Sequence, residues 1–202
     1  MKALDLSVYS SPNPLSIHAC EDFKRDGFGL LIVGLWTGNR GNPHALETLQ
    51  NAKLAGLHIA GYIALTKYHP GGWHINQGTK YCWQLWHDLN FVAIDVELIH
   101  DESISQETID SAYTNVLARH QQPIIYSNKN SWNTMGLPDH SFSPLWTADA
   151  DKDPNIDNTY SYGGWSPAKK NIIGKQYILD TTMHGVGVDI STFRDEFILR
   201  GR

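Results

Sequence analysis

Short apolar runs alternate with amphipathic stretches through the first two thirds of the chain, and the two periods set its expected elements. Ala3–Tyr9 reads as a first strand with Asp5 inside it, and Leu30–Trp36 as a second, almost wholly apolar one. Between them, Leu15–Asp26 has helical spacing and stops at Gly27. His44–Ala55, closed by Gly56, is a second helix. Leu57–Leu65 is a third strand, leading into a loop with Pro70, Gly71 and Gly72. A helix is expected over Asn76–Leu89 and a strand over Phe91–Leu98. The clearest helix is Ser105–Gln121, with Ser105 as N-cap ahead of Glu107 and apolar positions at Ile109, Ala112, Tyr113 and Val116. Pro123–Ser127 reads as a fifth strand and Asn130–Met135 as a short helix.

The alternation then decays. Pro144–Ala148 is strand-like, a polar loop runs from Asp149 to Tyr162, and Ile172–Ile178 and Gly187–Ile190 are two further strands with no helix between them. Five β/α units followed by three strands with few helices predict an α/β fold, an irregular TIM-like (β/α) barrel. No linker, repeat or low-complexity segment divides the chain, so residues 1–202 are expected to form a single domain.

Within this frame Phe91–Leu98 stands out, an apolar run broken only by Asp95 and Glu97. Residues i and i+2 of a strand leave on one face, about 7 Å apart. Two like charges projected together from a buried strand are costly unless something uses or neutralises them. Such a pair suits acid/base hydrolysis of a glycosidic bond. Loop caps, or pairs with a Lys or Arg, are the alternative that the spacing leaves open. In barrels of this kind the site lies at the C-terminal ends of the strands. Asp5, Asp95, Glu97 and Asp189 all fall in strand-like segments, at positions compatible with one mouth.

A net charge of −5 offers no basic footprint for a nucleic acid and no attraction to anionic membranes. No apolar run is long enough to span a bilayer, so neither membrane insertion nor a nucleic-acid partner is expected. Seven Trp and nine Tyr are rich for 202 residues and lean towards sugar binding, since aromatic faces stack on pyranose rings. Cys20 and Cys82 make no disulfide framework, although both fall in expected helices and a single bridge stays open. The first residues lack the apolar core of a signal peptide. An extracellular role would then need a lysis system, a secretion apparatus or a leader absent from this chain.

The ten histidines, His18, His44, His58, His69, His74, His87, His100, His120, His140 and His184, are scattered without metal-ligand spacing. No metal or other cofactor is expected. A serine triad has no G-x-S-x-G elbow.

Taken in order, the motifs resemble glycoside hydrolase family 25, the Chalaropsis-type lysozymes. Asp5-Leu6-Ser7 is similar to the family's first-strand D-x-S, and Asp95-Val96-Glu97 to its D-x-E. Pro123-Ile124-Ile125-Tyr126-Ser127-Asn128 resembles its P-I-I-Y-[ST]-N strand, and Leu145-Trp146-Thr147-Ala148 its L-W-x-A strand. Gln176-Tyr177, with Gly187-Val188-Asp189-Ile190-Ser191-Thr192-Phe193 after it, resembles the closing segment.

The resemblance implies an N-acetylmuramidase that cleaves the β-1,4 bond between N-acetylmuramic acid and N-acetylglucosamine. Bacterial peptidoglycan would be the partner, and the enzyme would act as a monomer outside the cytoplasm. Glu97 would be the general acid. Asp95 and Asp189 would stay ionised to stabilise positive charge, and Asp5 would position the acetamido group or a water. Tyr62, Tyr126, Trp146 and Gln176 would contact the substrate, while Trp73, Trp83, Trp86, Trp132 and Trp165 could serve core or groove.

Two stretches depart from the family pattern. Ser7 is followed by Val8-Tyr9-Ser10-Ser11 without the usual Gln, and Gly61-Tyr62 by Ile63-Ala64-Leu65. Both bear on the preferred glycan. A hydrolase of another N-acetylhexosamine polymer such as chitin, and a catalytically silent glycan-binding or immunity-type module, are the competing expectations.

Overall fold

Eight strands close into a barrel in simple chain order. The computed structural model describes residues 1–10, 13–98 and 102–199; Ser11 and His100 lie outside them. The strands are β1 (Lys2–Leu6), β2 (Phe28–Trp36), β3 (His58–Ala64), β4 (Val92–Asp95), β5 (Pro123–Ser127), β6 (Leu145–Ala148), β7 (Ile172–Met183) and β8 (Val186–Phe193). Strands β1 to β7 run parallel, each to the next, and β8 is antiparallel to both β7 and β1. The helices are α1 (Ile17–Arg25), α2 (Ala45–Leu54), α3 (Gly71–Thr79), α4 (Gln106–Ala118), α5 (Lys129–Thr134) and α6 (Asp195–Leu199). The expected irregular TIM-like barrel is the observed one.

Strand alternation sorts the core into two layers. Ala3, Leu30, Ile32, Ala60, Ala93 and Ile124 belong to an inner cluster, whereas Leu4, Leu31, Val33, Ile59, Ile63, Ile94 and Ile125 belong to the outer one beneath the helices. Near the bottom Phe91 stacks on Phe193, centroids 5.4 Å apart, and Phe197 of α6 packs on the same ring at 6.1 Å. The upper end is where the inner face turns polar.

Ser105 caps α4 by accepting from Thr108 N at 3.2 Å, as the sequence suggests. Four expectations need correction. The third helix spans Gly71–Thr79 rather than Asn76–Leu89, and Trp83–Asp88 forms a separate 3-10 segment. Its glycines permit close packing on α4: a Cβ on Gly71 would sit 2.0 Å from Thr108 O. Strand β4 ends at Asp95, so Glu97 lies just beyond it, although Val96 N still donates to Tyr126 O at 2.9 Å. The last two strands are longer than expected and pair as a hairpin, and the short α6 follows them. Cys82 precedes the 3-10 segment instead of lying in a helix, and both cysteines are buried free thiols. Burial pushes each thiol up to about 12. No helix among the described residues is long and apolar enough to cross a membrane.

Candidate active site

Each polar residue of the mouth stands two positions beyond an inward apolar residue of its own strand. Asp5 follows Ala3, Tyr62 follows Ala60, Asp95 follows Ala93 and Tyr126 follows Ile124. The side-chain period of two therefore aims all four into the barrel, above small or aliphatic residues. Asp189 reaches the same level from β8, opposite Asp5 in register, because that strand runs the other way. Its place is thus not at a strand's C-terminal end. Together with Glu97, Trp146 and Gln176 these residues line one cavity of about 430 Å³. All eight residues expected at the site are brought together there.

Gln176 is the hub of the polar layer. Its Nε2 donates to Asp5 Oδ2 at 3.0 Å and to Asp189 Oδ2 at 3.2 Å, and its Oε1 accepts from Tyr126 OH at 2.7 Å. With its amide so committed and 2% of its surface exposed, Gln176 holds its neighbours in place. The second oxygen of Asp189 accepts from the backbone N of Asp180 at 2.6 Å, where the chain takes φ 51. Glu97 Oε1 accepts from Asn128 Nδ2 at 2.9 Å. The other end of that amide caps α5, Asn128 Oδ1 accepting from Ser131 N at 2.8 Å, so the helix start orients the donor. Asp95 Oδ1 is buried and has no partner among the described residues.

None of the described residues lining this cavity is Lys or Arg. Burial, and then the neighbouring acids, hold the carboxyl groups of Asp5 and Asp95 well above the ordinary carboxylate range. Burial raises Glu97 too, opposed by the Asn128 hydrogen bond and reinforced by Asp189; it also raises Asp189, against the bond from Asp180 N. Tyr62 and Tyr126 are driven up by burial and the surrounding acids, so both stay hydroxyl donors. The layer can hold a proton on a carboxyl above the ordinary carboxylate range and stabilise positive charge beside it.

Trp146 is buried floor, with its Nε1 donating to Ser191 Oγ at 3.1 Å and its ring tilted on Tyr126 at 4.5 Å. Trp86, Trp132 and Trp165 are core, and Trp83 is exposed away from the cavity. Trp73 faces a neighbouring lobe of the groove. Asn128, Asp180 and Tyr9 also belong to the surroundings of the site, although sequence reasoning gave them no role. Asn128 closes the Pro123–Asn128 motif, and its cap position ahead of a short helix was a second signal. Buried His74 accepts from Trp36 Nε1 at 3.2 Å, and buried His140 bonds Ser143 at 2.7 Å, so both serve the packing.

No family model matches the chain, and no curated protein matches it. Solved structures do. A muramidase from Acremonium alcalophilum superposes with a TM-score of 0.76 at 15% identity, over 100% of this chain and 98% of that one. A family 25 glycosyl hydrolase from Bacillus anthracis gives 0.72 at 12% identity, over 100% and 94%. This chain has the family 25 glycosyl hydrolase fold. The bacterial lysozyme from Streptomyces coelicolor shares it, with a TM-score of 0.74 at 18% identity over 96% of this chain and 92% of that one. At such identities the likeness is one of backbone, and the chemistry rests on the side chains described above.

Proposed function

We infer that the protein is a lysozyme-type glycoside hydrolase, an N-acetylmuramidase that cuts the β-1,4 bond between N-acetylmuramic acid and N-acetylglucosamine. The observation that carries this reading is the convergence of Asp5, Asp95, Glu97 and Asp189 on one mouth with no cation among the described lining residues. Such a layer favours a cationic, oxocarbenium-like sugar over its neutral ground state. The muramidase and lysozyme names of the structural neighbours support the choice of bond. In this reading the chain is a single monomeric catalytic domain, and its partner is bacterial peptidoglycan outside the cytoplasm.

Glu97 is the general acid. Asn128 holds Oε1, and the carboxyl delivers its proton to the bridging oxygen as the C1–O bond breaks. Asp95, which lines the cavity, suits an N–H donor from the substrate, such as a 2-acetamido group. So oriented, the acetamido carbonyl oxygen attacks C1 from the opposite face, and Asp189 and Asp95, each in its ionised form although burial raises both carboxyls, stabilise the charge. Asp5 positions the group. Water, deprotonated by Glu97, then opens the cyclic intermediate with retention at C1. Product that first accumulates as the inverted anomer by NMR would exclude this route.

The deciding experiment digests purified sacculi, reduces the products with borohydride and weighs the muropeptides, with Glu97→Gln in parallel. New reducing ends on muramic acid, absent with the variant, are expected. Ends on glucosamine would keep a hydrolase and overturn the bond. A wild type inactive on sacculi but active on chitin oligomers would favour the chitin reading, for which Ala64 and Leu65 of the altered third strand speak. Inactivity on both would favour a silent glycan-binding module.

A further inference from the structure

Beyond Glu97 the acid-lined cavity opens into a second lobe of about 750 Å³. Asp5, Asp189, Gln176, Tyr126 and Trp146 border the first lobe alone, whereas Asp95, Glu97 and Tyr62 border both. The second lobe is walled by Ala64, Leu65, Tyr68, His69, Trp73 and Ile104 among others. Its further carboxylate, Glu102, is engaged by the Tyr68 hydroxyl and lies 3.6 Å from Lys67 Nζ. One lobe is thus anionic and the next largely apolar, with the acid at their boundary.

We propose that the second lobe seats the leaving half of the glycan, with Tyr68 and His69 as its stacking surface. This rests on the hydrolase reading above and assigns the two sides of its groove. Positive charge develops on the sugar whose C1–O bond breaks, so that sugar occupies the lobe where Asp5 and Asp189 join Asp95. The proton goes to the bridging oxygen at Glu97. The chain attached to that oxygen continues away from Asp5 and Asp189, into the more apolar lobe.

The rings there are exposed yet held. Tyr68 is 64% exposed, fixed at its hydroxyl by Glu102 and flanked by Lys67 Nζ at 5.2 Å from the ring centre. His69 lies flat on Trp73, with centroids 3.8 Å apart and planes at 25°, and Trp73 meets Trp36 edge-on at 5.6 Å. Rings immobilised in advance bind the apolar face of a pyranose with little further ordering. Neither Tyr68 nor His69 is buried, so their removal opens no core cavity.

The test uses a peptide-free octasaccharide of alternating N-acetylglucosamine and N-acetylmuramic acid, labelled at its reducing end. The quantity read is the ratio of bonds cut within that one molecule, which does not depend on how much enzyme is folded. The leaving half is the reducing-end half. Tyr68→Ala combined with His69→Ala is expected to move cutting towards the reducing end, changing the ratio about threefold or more, because long leaving segments lose their advantage. Tyr68→Phe keeps the ring but loses its tether to Glu102, so it should move the ratio in the same direction but less than the double variant. An unchanged ratio in the double variant, or a move towards the non-reducing end, overturns the assignment while the hydrolase reading stands. A wild type that cuts neither the octasaccharide nor sacculi overturns both.

Discussion

Asp5 and Asp189 stand opposite each other in the antiparallel pairing of β1 with β8, and one side-chain amide serves both. Without Gln176 the two carboxyl groups would meet across the top of the barrel with only repulsion between them. The hydrogen bond from Gln176 opposes the rise that burial and Asp189 impose on Asp5. The amide therefore sets how much of this pair is ionised at a given pH.

Gln176→Leu is expected to lower kcat/KM by about tenfold or more, since it strips donors from buried carboxylates. The sign of its pH effect is fixed. Losing a bond that lowers the Asp5 pKa raises that pKa further, so the acid limb of the pH–rate profile moves to higher pH. A lower rate with an unmoved acid limb would mean that Gln176 only fills space.

Asn128 acts on the other limb. As the general acid, Glu97 must be protonated, and Asn128 lowers its pKa by bonding the ionised form. Asn128→Ala should therefore raise that pKa and shift the basic limb upward, even as less precise placement reduces kcat. The same change removes the α5 cap on Ser131 N, at a cost of about 1 kcal/mol visible in thermal melts. Asn128→Ser, which can cap but is too short to reach Glu97, should restore stability without restoring the profile.

Most of the barrel was legible because its strands are buried on both faces, as in Leu30–Trp36, where every residue is buried. The acids were legible for the opposite reason: Asp5 and Asp95 interrupt such runs at inward positions. What failed was local chemistry overridden by contacts. Pro70-Gly71-Gly72 looks like a loop, yet those glycines begin α3 because α4 leaves no room for a Cβ. The β7–β8 hairpin projects beyond the barrel, so Asp180, Thr181 and Thr182 carry no apolar alternation to betray a strand. Gln176 and Asn128 were visible as residues, but their bonds join strands and loops far apart in the chain.

The placement of Tyr62 depends on a glycine. A Cβ on Gly34 of β2 would fall 2.6 Å from both the hydroxyl oxygen and Cζ of Tyr62, so only hydrogen fits beside that ring. Gly34→Ala should push Tyr62 across the cavity and cut kcat/KM about tenfold or more, with a smaller loss of stability. Gly34→Ala combined with Tyr62→Phe separates the hydroxyl from the ring. If the hydroxyl is what collides, the double variant should be no slower than Tyr62→Phe alone.

The last prediction concerns stability. Asp95 is 8% exposed, its Oδ1 has no partner among the described residues, and burial, Glu97 and Asp5 raise its pKa from the ordinary 3.8. A group with a raised folded-state pKa adds no penalty while protonated in both states. As pH climbs past about 4 the unfolded chain ionises first, and the folded state loses stability until its own carboxyl titrates. Asp95→Asn removes that loss. The variant should melt with the wild type near pH 3 and above it at pH 7, by about 1 kcal/mol or more, or ~2–4 °C for each kcal/mol. Its glycosidase activity should fall away over the same range. A melting difference independent of pH would show that the gain comes from packing and that Asp95 carries no charge burden in the fold. The expected divergence would instead measure what the barrel sacrifices to keep an ionisable acid at its mouth.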